Sequence, residues 1–168
     1  MSDDWKREME LLYQLFEREV SSYQQLIREI KIESKYLREG KTEALMQSVR
    51  SIEGQIKILH LLEQEIQKTA ETILQGLGKG ERERTLSHLL LLLPPVHQSR
   101  LSSYQQTVLR LKEWVRQIND QNMTFIKEYM SVLNELISPL IGRISESAGY
   151  PGHKRSPTFL SYALNREI

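Results

Sequence analysis

LSSYQQTVLRLKEWVRQINDQNMTFIKEYMSVLNEL, residues 101–136, decides the fold. Its apolar positions are Leu101, Tyr104, Val108, Leu111, Val115 and Ile118, then Phe125, Tyr129, Val132 and Leu136. Asn122 occupies the slot between the two groups. Steps of three and four alternate throughout. That spacing places every one of these side chains on a single helical stripe, packed along its length against other helices. Ser138-Pro139 then ends or kinks the helix, with Pro139 suited to the first turn of a short extension to Ser145.

Two further stripes precede it. Trp5, Met9, Leu12, Phe16, Val20, Tyr23, Ile27, Ile30 and Leu37 predict a helix over about 4–39, with a heptad break where Leu12, Phe16 and Val20 follow in steps of four. Leu45, Val49, Ile52, Ile56, Leu59, Ile66, Ala70 and Ile73 predict a second over about 41–75, with Glu63 the one polar slot and Leu62 beside it to cover the gap. Gly40 between them stops the first helix and leaves room only for an antiparallel hairpin. Gly76, Gly78 and Gly80 mark a flexible joint. A short helix is expected over 81–93, burying Leu86, Leu89, Leu90 and Leu93 and ending at Pro94-Pro95, before the third long helix at about 97–138. The fold class is therefore all-α: an elongated antiparallel bundle or coiled coil of three long helices, a short linker helix and a flexible C-terminal tail. The domain division is a bundle over 1–147 and a tail over 148–168.

Composition narrows the function. Of 168 residues, 27% are charged, yet the net charge is only +1, which argues against a nucleic-acid binder. No cysteine is present, excluding disulfides, thiolate metal sites and cysteine nucleophiles. The N-terminus is charged and unlike a signal peptide, and the longest apolar run, Leu89 to Leu93, is far short of the ~20 residues of a membrane span. Soluble, cytoplasmic residence is expected. His60, His88, His97 and His153 form no helical metal-ligand pair, and the glutamates alternate with Lys and Arg as on solvated faces. No constellation supports catalysis, so the expectation is a binding protein, not an enzyme, with no cofactor and no metal.

Asn122 admits two roles: a register device within the seam, or, with Asn119 one turn earlier, a hydrogen-bonding pair toward a neighbouring helix or a ligand. Tyr104, Phe125 and Tyr129 lie on the seam and are expected in the core, while Trp114 lies off it as a candidate contact. The partner-binding candidates are Trp114, Asn119, Asn122 and Tyr129. The tail carries Tyr150, Phe159, Tyr162 and Leu164, more aromatic character than a disordered end usually has. Either it packs back on the bundle or it docks elsewhere.

The run Leu111 to Ile126, with its apolar-Asn-x-x-Asn-x-x-apolar-apolar pattern at Asn119 and Asn122, resembles the flagellar export chaperone FlgN family. Thr85 to Pro95, Tyr150-Pro151-Gly152 and Leu164-Asn165-Arg166 resemble further family elements, although Pro151 stands where the family usually has a glycine. The resemblance implies a cytoplasmic type III export chaperone. Its cargo would be the C-terminal amphipathic segment of flagellar hook-associated proteins, kept unassembled and delivered to the export gate. It also implies a monomer or weak dimer that uses no cofactor, with Tyr150 assisting at the gate. The competing expectation is a structural, oligomeric coiled-coil protein with no cargo groove.

Overall fold

The computed structural model describes the backbone of residues 4–77 and 86–148 and the side chains of 5–77 and 86–139. All regular elements among them are helices: α1 (Asp4–Glu39), α2 (Thr42–Gly76), α3 (Leu86–Leu92) and α4 (Pro95–Ala148). The chain divides into two units, Met1–Arg116 and Gln117–Ile168, so α4 contributes to both.

The first unit is built on the α1–α2 hairpin. Gly40 adopts φ +65°, the left-handed region that L side chains resist. Lys41 N–H donates to the Tyr36 carbonyl and Gly40 N–H to that of Leu37, at 3.0 and 3.4 Å. This is the paired C-terminal hydrogen bonding of a Schellman cap, and it satisfies carbonyls that the helix end leaves open. A Lys41–Glu39 ion pair at 2.7 Å spans the turn.

The α1 register differs from the one its apolar residues suggest. One buried stripe runs Met9, Leu12, Phe16, Glu19, Tyr23, Leu26, Ile30 and Glu33, in unbroken steps of three and four, with Tyr13, Leu15 and Ile27 buried beside it. Val20 and Leu37 are only half-buried. The chain keeps one register and buries two glutamates instead of relaxing the repeat to bury Val20. On α2, Ile52, Leu59, Leu62, Ile66, Ala70 and Ile73 are buried. Leu62 lies beside the half-buried Glu63, as its position predicted.

Short α3 packs on α2 and buries Leu89, and Leu93 just beyond it is buried as well. Pro95 then opens α4 instead of merely ending α3. Pro94 carbonyl accepts from Gln98 N–H at 3.0 Å, so Pro95 stands in the first turn, where its missing N–H costs nothing. Within the first unit α4 runs parallel to α1 and antiparallel to α2. Tyr13 OH meets His97 Nδ1 at 2.7 Å, Tyr104 OH donates to Glu17 at 2.6 Å, and Lys112 Nζ donates to Glu63 at 2.6 Å. Leu101, Val108, Leu111 and Val115 enter the core.

The second unit begins inside α4. That helix does not stop at Ser138: it carries Pro139 in its interior and continues to Ala148. Proline removes the hydrogen bond to the Glu135 carbonyl, but both residues are exposed, where water can satisfy that oxygen. Tyr150, Phe159, Tyr162 and Leu164 lie outside the described residues.

Candidate functional site

The α4 seam changes character at Asn122. Up to Ile118 its apolar positions are buried, with Tyr104 half-buried. Beyond Asn122, Phe125 is half-buried, and Tyr129, Val132 and Leu136 are 57%, 53% and 63% exposed. The spacing that predicted a core position for Tyr129 is therefore corrected. Periodicity fixes which residues share a face, not whether anything covers it.

The uncovered stripe has two unlike edges. At 100° per residue, Ile126, Met130, Leu133 and Ile137 extend it on one side, and Ile137 is itself 44% exposed. Exposed Glu128 and Glu135, seven residues apart, line the other side. Phe125 and Tyr129 stack with ring centroids 6.4 Å apart, which presents two aromatic rings as one rigid face. Such a surface accepts the apolar side of a second helix.

Asn122 closes the covered part of the seam. It is 8% exposed, and its amide nitrogen is buried without a hydrogen-bond partner. A buried unsatisfied amide costs about 1–3 kcal/mol. Asn119, one turn earlier, is half-buried and off the centre of the stripe. Trp114 belongs to the first unit, 46% exposed, with Lys31 Nζ 4.4 Å above its ring. Asn119, Asn122 and Tyr129 thus share one stretch of helix, and Trp114 stands apart as a cation–π partner of α1.

A polar cluster in the first unit escaped the sequence. Glu19 of α1 is 3% exposed. Burial pushes its carboxyl up to about 7, Lys112 lowers it, and Glu63 raises it further. Tyr23 OH donates to Glu63 at 3.3 Å, and its phenol is raised by burial and by both carboxylates. Glu63 also takes the Lys112 bond and lies 3.7 Å from His60. All three long helices therefore contribute to a small polar layer: Glu19 and Tyr23 from α1, Glu63 and His60 from α2, and Lys112 from α4. The signal was available: Glu19 sits in the strict three-four register of α1, and Glu63 in that of α2. Among the described residues no group of three or more His, Asp or Glu could hold a metal ion, and no helix is long and apolar enough to cross a membrane.

Residues 8–157 match the family model described as FlgN protein. No curated protein and no solved structure matches the chain.

Proposed function

Because this chain belongs to the FlgN family of flagellar export chaperones, we propose that its cargo is the C-terminal amphipathic segment of flagellar hook-associated proteins. It holds that segment in the cytoplasm, prevents premature assembly and delivers the protein to the export gate. The observation that carries this proposal is the exposed stripe of Tyr129, Val132 and Leu136 on α4. An amphipathic segment becomes helical as it lays its apolar side on that stripe. Ordering it costs about 2–5 kcal/mol of the interaction energy, which keeps the complex weak enough to release at the gate. Asn119 and Asn122 set the register of the bound helix, Tyr129 supplies an aromatic anchor, and Trp114 is a secondary contact. In the tail, Tyr150 contacts the gate.

Titrating the protein with the C-terminal peptide of a hook-associated protein tests this proposal. Circular dichroism should show more helix than the sum of the parts, and Tyr129→Ser with Val132→Ser should abolish the gain. The second possibility, a coiled-coil oligomer, is favoured by the same exposed stripe. Light scattering distinguishes it: a tight dimer whose mass is unchanged by peptide would replace the chaperone proposal.

A further inference from the structure

We propose that residues 153–168 of this same chain cover the α4 stripe when no cargo is bound, so that tail and cargo compete for one surface. This rests on the cargo proposal for its consequence and on three observations of the chain itself.

The first is charge. The edge of the stripe is acidic through Glu128 and Glu135. The segment after α4 carries Lys154, Arg155 and Arg166 against Glu167 alone. Such complementarity favours this pairing over association of two like-charged stripes. The second is apolar content. Phe159, Leu160, Leu164 and Ile168 supply the side chains that the stripe lacks opposite Tyr129, Val132 and Leu136. The third is reach. α4 ends at Ala148, and Leu136 lies about 18 Å back along a helix rising 1.5 Å per residue. Residues 149–157, with Gly149, Pro151, Gly152 and Pro157 among them, can span about 30 Å when extended. The apolar part of the tail therefore begins within reach of Leu136 and Val132. A tether this short holds it there at an effective concentration in the millimolar range. Cargo must displace it, which lowers apparent affinity by the fraction of chains in which the stripe is free.

The chain has no cysteine, so spin labels at Ser131→Cys and Ser161→Cys report on the full-length protein alone. The expected result is one narrow distance distribution. Dilution with unlabelled chain should leave it unchanged, and Val132→Ser or the pair Glu128→Lys, Glu135→Lys should broaden it. A broad distribution that ignores these substitutions overturns the inference. So does a narrow one lost on dilution, which would make a second copy the occupant. In parallel, full-length Leu160→Ser, Leu164→Ser should bind the hook-associated peptide about tenfold more tightly than the native chain, as expected if the stripe is free in a tenth of native molecules. Equal affinities refute the competition and leave the cargo proposal standing. A narrow, stripe-dependent distance with no peptide binding by either protein refutes the cargo proposal and leaves the tail on the stripe.

Discussion

Replacing Glu19 with Gln should stabilise the protein at alkaline pH and leave it unchanged in acid. Glu19 is 3% exposed, and burial raises its carboxyl from 4.5 to about 7, with Lys112 offsetting part of the effect and Glu63 adding to it. A carboxyl raised on folding binds its proton more tightly in the folded state. Its contribution to stability is complete below about 4.5 and is lost as pH rises through about 7. The gap between those values corresponds to about 3 kcal/mol. Glutamine is close in shape to the protonated acid and never ionises. At about pH 4.5 the two proteins should unfold alike, and at about pH 8 the variant should be more stable by up to about 3 kcal/mol. At roughly 2–4 °C per kcal/mol for a chain of this size, that is a difference of about 10 °C in Tm. Thermal unfolding followed by circular dichroism across this range gives the answer. Carboxylates distant from Glu19 titrate alike in both proteins and cancel in the difference, which leaves Glu19 and its neighbour Glu63 as the source of any divergence. Lys112 retains Glu63 in the variant, so no new buried cation is left unpaired. Two parallel pH profiles would refute the reasoning, because Glu19 would then titrate as a solvated carboxylate.

Other substitutions test single features. Gly40→Ala meets no side chain but must hold φ +65°, so Tm should fall by the equivalent of about 1 kcal/mol; an unchanged Tm would mean the turn has another conformation. Asn122→Leu removes the orphaned amide and should stabilise the fold by about 1–3 kcal/mol in denaturant titrations, while weakening cargo binding; a loss of stability would show that the amide is satisfied. Leu26→Ala, at a fully buried position, should cost about 2–5 kcal/mol by the same titration.

The sequence carried the helices and their order because three stripes of apolar residues at helical spacing leave little choice. The hairpin was legible in Gly40, whose positive φ the structure shows. Two features were not. An apolar-only count misplaces part of the α1 register, since Glu19 holds the inward slot that Val20 was expected to fill, and Glu33 fills a slot that an apolar count leaves empty. Burial of a carboxylate is a tertiary event, made tolerable here by Lys112 from a helix far away in sequence. Pro139 likewise signals an end in local terms, yet α4 passes through it because an exposed carbonyl can be hydrated. For the site, spacing put Asn122 and Tyr129 on one stripe but could not say where cover ends. Exposure is set by what packs opposite, which no single helix encodes.

If cargo docks on the exposed stripe of α4, removing the apolar side chains of that stripe must remove binding. Isothermal titration of the C-terminal peptide of a hook-associated protein into the full-length chain, with Tyr129→Ser, Val132→Ser as the comparison, measures this. Both residues are exposed, so the substitutions should leave the free energy of unfolding within about 0.5 kcal/mol of native. The native chain should bind, and the variant should lose at least about 2 kcal/mol, roughly thirtyfold in Kd. No heat of binding up to about 50 μM, or equal binding by both proteins, would contradict it.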